Sequence, residues 1–181
     1  RGVDIRTGTK VSRLEKGQAG ARVELEGKNA GTVEADLVLV AVGRKFHSEA
    51  VTREASLGVR VGRRGEILVN ERMETSVPGI YAIGDVTGKT MLAHGASAEG
   101  LVAAANATGG DARMDYRVVP ACTFTSPEVA SVGLRERQAR EAGREVKIGR
   151  FNWIASGRAQ SMNEPEGLVK IVGDASTDEV L

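Results

Sequence analysis

Asp85 stands directly after Gly84, one residue past the apolar run Ile80-Tyr81-Ala82-Ile83. A carboxylate in that place repels a phosphate, but it can accept hydrogen bonds from the hydroxyls of a sugar or a ribityl chain. Lys89-Thr90 and Met91-Leu92-Ala93-His94 follow. Gly84 to Thr90 also holds the ingredients of a phosphate-binding loop. Such a loop needs four residues between its first glycine and Gly-Lys-Thr, so that backbone amides wrap the phosphates. Gly84 and Gly88 enclose only three, and Asp85 would place negative charge inside the cradle. Polyol recognition is the better reading. His94, taken alone, reads as a packed helix residue, and no proton transfer is assigned to it. Cys122 is the only cysteine, which excludes an internal disulfide and a cysteine-rich zinc site. It is expected to be a buried strand thiol. The two histidines, His47 and His94, are too few for a histidine metal cluster, and His47 is expected in an exposed loop.

The elements around Asp85 follow from the neighbouring residues. Pro78-Gly79 signals a turn. Ile80 to Ile83 has the character of a short strand, broken by Gly84-Asp85. From Met91 the sequence is alanine-rich and free of proline, which predicts a helix from about Leu92 to Asn106. Strand, glycine turn and helix together aim backbone N–H groups and the positive end of the helix dipole at one point. Asp85 would lie past the carboxyl end of the strand, where open α/β sheets place their ligands. It stands too far ahead of the helix to cap it directly. Gly95 and Gly100 each cost about 1 kcal/mol relative to alanine in a helix. Their presence predicts a close backbone approach, to a sheet or to a flat ring.

Ahead of this unit, residues 10–14, 21–26 and 31–35 alternate apolar and polar and are separated by glycine-containing turns, predicting half-buried antiparallel strands. Asp36 to Val42 carries six successive apolar residues and predicts a strand buried on both faces, ended by Gly43-Arg44. A short helix is expected within 48–57 and a strand over 66–70. Beyond the long helix, residues 107–111 read as a C-cap and loop. Residues 136–142 predict a surface helix. Residues 145–152 and 167–172 predict strands joined by a polar loop containing Pro165, and Val180-Leu181 begins a further strand.

Thr75 to Gly100 resembles the second flavin-binding segment of the pyridine nucleotide-disulfide oxidoreductases, and Met91-Leu92-Ala93-His94 resembles their dihydrolipoamide dehydrogenase branch. The resemblance spans nearly the whole chain. It implies an α/β plus α+β fold: incomplete Rossmann-like FAD- and NAD(P)-binding domains, then the start of an α+β dimerisation domain. It divides the chain into residues 1–44, closing the NAD domain, 45–115, returning to the FAD domain, and 116–181, opening the dimerisation domain. By the same resemblance Asp85 holds the ribityl chain of FAD, Gly84 belongs to the cofactor-binding residues beside it, and Met91, Leu92, Ala93 and His94 line its isoalloxazine. The amino end of the long helix would face that ring. A helix terminus contributes about 0.3–2 kcal/mol, which tunes a two-electron couple by at most roughly 40 mV. Val40-Ala41-Val42-Gly43-Arg44 matches a family signature that places Gly43 against NAD, and Val11 matches a position near the adenine end. His47 departs from the Pro-Asn that relatives carry there.

Near-balanced charge, 25 Lys+Arg against 24 Asp+Glu over 181 residues, argues against nucleic-acid and membrane partners. One thiol fits a cytoplasmic setting. No two glycines are spaced two apart, so the Gly-x-Gly-x-x-Gly fingerprint is absent, as are a redox cysteine pair and the family's His-Pro and Glu. The chain is therefore expected to be an internal fragment, inactive alone. The implied intact enzyme is a homodimer using FAD and NAD. Its expected partners are the lipoyl domains of 2-oxo acid dehydrogenase complexes or of the glycine cleavage system. A mercuric or other disulfide reductase, and a non-catalytic dimerisation module, are the alternatives.

Overall fold

The computed structural model describes residues 2–53 and 57–181 and divides the chain into two units, Arg1–Arg44 and Lys45–Leu181. In the first unit, the alternating segments form an antiparallel meander in the order β1 (Thr9–Lys16), β2 (Ala21–Gly27), β3 (Gly31–Ala35). Val23 of β2 pairs with Leu14 and Val33 across the sheet, and a register slip falls between Val11 and Arg13. Burial is shallower than the alternation predicts. Val23 is buried, but Val11 and Leu14 stay about half exposed, because the described residues of this unit form the three strands and no helix to cover them.

Asp36 to Val42 overturns its prediction. No residue of it is in a strand, and Leu37, Leu39 and Val42 are 87%, 87% and 93% exposed. A strand buried on both faces needs hydrogen-bonded neighbours to form and layers over both faces to cover it, and none of the described strands pairs with this segment.

The second unit begins with α1 (Glu49–Arg53); the part of the expected helix at 54–56 lies outside the described residues. Neither 66–70 nor 80–83 forms a strand. Single bridges take their place, Val61 with Ile67 and Glu74 with Tyr81. Single backbone bonds link separate segments here: Ile67 N–H donates to Val86 O at 2.9 Å, and Ala82 N–H to Met73 O at 3.2 Å. Phe46, Ile67, Met73, Ala82 and Ala103 are buried in this unit.

α2 (Ala93–Ala107) matches the predicted helix and has Leu92 as its N-cap. It ends as the sequence predicts. Gly110 N–H donates to Ala105 O at 2.9 Å and Gly109 N–H to Asn106 O at 3.1 Å, the paired bonds of a Schellman motif. Buried Asn106 holds that end in place. Its amide donates to Arg72 O and Ala112 O, each at 2.9 Å, and its Oδ1 accepts from Ala112 N–H at 2.8 Å.

The remainder forms a hairpin of β4 (Ala121–Thr123) and β5 (Val129–Ser131), α3 (Glu136–Glu141), β6 (Val146–Asn152), α4 (Gly157–Ser161) and β7 (Leu168–Asp174), with β6 and β7 antiparallel. The expected polar loop before Pro165 instead contains a 3-10 turn, Trp153–Ala155, and α4, which is capped by Ser156 Oγ. Val180 makes a single bridge to Gly173 in place of the strand expected at Val180-Leu181. Cys122 is exposed on β4, contrary to expectation, because every residue of that two-stranded hairpin is exposed. Among the described residues no helix is long and apolar enough to cross a membrane.

Candidate functional site

Gly84 opens a 3-10 helix, Gly84–Thr87, where the sequence predicts a plain glycine turn. Its φ of +74° is a left-handed value that favours glycine. A Cβ there would also stand 3.4 Å from Ala96 Cβ, so the turn is seated directly on α2. Thr87 Oγ1 donates to Gly84 O at 2.8 Å, and Gly88 N–H to Asp85 O at 3.0 Å. Those bonds close the turn on itself. A phosphate cradle needs its amides turned outward, so the geometry agrees with the rejection of that loop.

Asp85 is exposed in the first turn of this 3-10 helix, beside the buried Gly84. The segment Gly88 to Leu92 then carries the chain to α2. Its Thr90 hydroxyl is buried without a hydrogen-bond partner among the described residues, and it fills the space that a Cβ on Gly95 would need. Gly100 similarly admits Ile83 Cδ1, which would lie 3.4 Å from a Cβ there. The two helical glycines thus permit the close approach that their presence predicts.

α2 has no side-chain cap at its N-terminus, and no acceptor is found among the described residues for the N–H groups of Ala93, His94 and Gly95. Helix dipole and free amides together make this end attractive to electron-rich groups. His94 is exposed, and its Nε2 lies 2.7 Å from Pro120 O. A carbonyl can only accept, so Nε2 carries the proton. Met91 is exposed and Leu92 half-buried. Met91 to His94 therefore stand at the start of α2, whereas Gly84, the residue before Asp85, lies against Ala96 and Glu99 further along the helix. Gly43 and Val11 lie in the other unit, Gly43 outside any strand and Val11 on β1 opposite Leu25.

One functional candidate escaped the sequence. Glu99, on α2, is fully buried. Its Oε2 accepts from Gly84 N–H at 2.6 Å and its Oε1 from the Tyr116 hydroxyl at 2.9 Å. Burial, then the hydrogen bond and charge of Glu99, push the Tyr116 hydroxyl above the ordinary phenol range. The available signal was an acidic residue set among alanines on a helix with no basic neighbour one turn away. Among the described residues no group of His, Cys, Asp and Glu is arranged to hold a metal ion.

Residues 1–100 match the family model "Pyridine nucleotide-disulphide oxidoreductase", and residues 119–181 match that family's dimerisation domain. The chain is 51% identical to a dihydrolipoyl dehydrogenase of Thermus scotoductus, with 99% of this chain and 39% of the relative aligned. It is 41% identical to the mitochondrial dihydrolipoyl dehydrogenase of Canis lupus familiaris, over 99% of this chain and 36% of the relative. Among solved structures it resembles LpdA from Mycobacterium tuberculosis, with a TM-score of 0.87 and 28% identity over 99% of this chain and 39% of that one. It also resembles the HOCl-induced flavoprotein disulfide reductase RclA from Escherichia coli, with a TM-score of 0.79 and 27% identity over 95% and 39%. The chain spans about two-fifths of the length of these relatives.

Proposed function

We propose, from the premise that this chain belongs to the pyridine nucleotide-disulphide oxidoreductase family, that it forms the floor of the flavin site in a dihydrolipoyl dehydrogenase. One observation carries the reading: an exposed carboxylate, Asp85, on a turn seated against α2, whose first-turn amides are open. These residues fit FAD. Asp85 accepts hydrogen bonds from the ribityl hydroxyls, Gly84 lets the turn approach α2, and Met91, Leu92, Ala93 and His94 line the ring. Gly43 and Val11 would serve NAD from the first unit. Bound FAD supplies two-electron transfer between a disulfide and the nicotinamide. The chain's own residues would bind the cofactor and orient it.

The whole enzyme would convert dihydrolipoamide and NAD to lipoamide and NADH, as the names of its relatives suggest. Residues 1–44, 45–115 and 116–181 would belong to its NAD, FAD and dimerisation domains. The contact boundary after Arg44 and the dimerisation match support that division. A homodimer, lipoyl domains as partners and a cytoplasmic setting belong to the same proposal. The likeness to RclA favours another disulfide reductase as the second reading.

The test is made in the polypeptide that carries these residues. Asp85→Ala is expected to lower the FAD-to-protein ratio measured by visible absorbance, and an unchanged ratio overturns the reading. Absence of lipoamide reduction by NADH in the flavin-loaded protein, with another disulfide reduced instead, would favour the second reading.

A further inference from the structure

A buried carboxylate is costly unless its oxygens are paired. Glu99 is fully buried, and among the described residues no ion pair joins it. Its two oxygens are satisfied by two neutral donors from distant points in the chain. Gly84 N–H occupies Oε2 at 2.6 Å and the Tyr116 hydroxyl occupies Oε1 at 2.9 Å. That hydroxyl also lies 3.8 Å from Met73 Sδ, but it has one proton, and the carboxylate is the closer and stronger acceptor. Met73 is itself fully buried.

Gly84 is the residue immediately before Asp85. Its peptide rests on one face of α2, with Ala96 Cβ 3.4 Å from where a Cβ on Gly84 would stand and Glu99, one turn further on, accepting from its N–H. The orientation of the Gly84-Asp85 backbone relative to α2 thus depends on where Glu99 holds that amide. Tyr116 holds Glu99 in turn, through its other oxygen.

We infer that Glu99 is a positioning residue for the flavin site, its buried carboxylate fixing the Gly84-Asp85 turn on α2 while Tyr116 braces it. The inference rests on the reading of Asp85 as the flavin ligand. Glu99 touches no cofactor itself and acts through the peptide of Gly84.

Four variants of the polypeptide carrying these residues test it, each compared for FAD dissociation constant and for thermal midpoint of the apoprotein. Glu99→Ala leaves the Gly84 amide and the Tyr116 hydroxyl without their acceptor, and is expected to weaken FAD binding by about tenfold or more. Glu99→Gln can turn its carbonyl oxygen to Gly84 N–H and its amide N–H to the Tyr116 oxygen, and is expected to bind FAD within about threefold of the parent. Tyr116→Phe removes only the brace and is expected to fall between the two. Asp85→Ala is the reference. If Asp85→Ala loses FAD while Glu99→Ala and Tyr116→Phe keep parental affinity, the inference is overturned and the reading of Asp85 stands. If Asp85→Ala also keeps its flavin, the reading of Asp85 itself fails. A merely structural Glu99 would lower the apoprotein midpoint and leave FAD affinity unchanged, which also overturns the inference. Should Glu99→Ala not fold, Tyr116→Phe decides, because it deletes one oxygen and leaves the ring in place.

Discussion

Asp36–Val42 and Ala93–Ala107 invert the usual relation between apolar character and burial. The first is the more apolar segment, yet it lies outside any strand with Leu37, Leu39 and Val42 almost wholly exposed. The second is made largely of alanine and glycine, and its buried positions include a glutamate and an asparagine. The difference comes from where each segment finds its backbone partners. A helix closes its hydrogen bonds within itself, so α2 forms wherever its sequence permits and then needs only to be seated. A strand must borrow partners from other segments, and hydrophobicity alone does not supply them. Polar contacts then do for α2 what apolar packing does elsewhere. Asn106 ties its last turn to Arg72 and Ala112, and Glu99 ties its middle to Gly84 and Tyr116.

The sharpest way to break this contrast is hydrogen exchange on the 181-residue chain. Amides of α2 from Ser97 to Asn106 are expected to exchange more slowly than those of Leu37 to Val42 by about a thousandfold or more. Equal protection would mean that the apolar segment is paired after all. Next in size is Asn106→Ala, which strips three hydrogen bonds from a buried site and is expected to destabilise the second unit by about 2–4 kcal/mol in urea denaturation. A loss under about 1 kcal/mol would show that apolar contacts hold the helix end.

The turn after β7 offers a pH probe. Asp174 accepts from Ser176 Oγ and from the Ser176 and Thr177 amides, which lower its carboxyl pKa from the ordinary 3.8 to about 2. Because the folded value is the lower one, its stabilisation is complete above the unfolded value near 3.8 and fades as the pH falls toward about 2. Asp174→Asn should flatten the acid limb of stability between those values, monitored by far-ultraviolet circular dichroism. An unchanged acid limb would show that other carboxylates set it. The smallest effect is expected from Leu39→Ala. With its side chain already exposed, the change should stay within about 0.5 kcal/mol in the 181-residue chain. A larger loss would reveal burial of the segment.

The legible parts of this molecule are those whose causes are local. Alternation over 10–14, 21–26 and 31–35 specified the meander, and glycine spacing specified its turns. The proline-free alanine run specified α2 to within a residue, and Gly109-Gly110 specified its end. The 66–70 and 80–83 segments were misread because short apolar runs carry strand character whether or not a partner lies beside them. Cys122 was misread for a related reason, since its strand pairs with only one neighbour.

The candidate site divides the same way. Gly84, Asp85 and Met91 to His94 could be picked out by type and spacing. Glu99 could not, because its partners lie 15 and 17 residues away and are a backbone amide and a phenol, neither of which leaves a pattern in the sequence. The sequence by itself determined the family, the long helix and the acidic residue before it, since each is written in neighbouring residues. Only the tertiary structure decided that Gly84 sits on α2, that a buried carboxylate holds it there, and that none of the described strands pairs with the most apolar segment. Those outcomes depend on which distant groups meet, and meeting is a property of the folded chain.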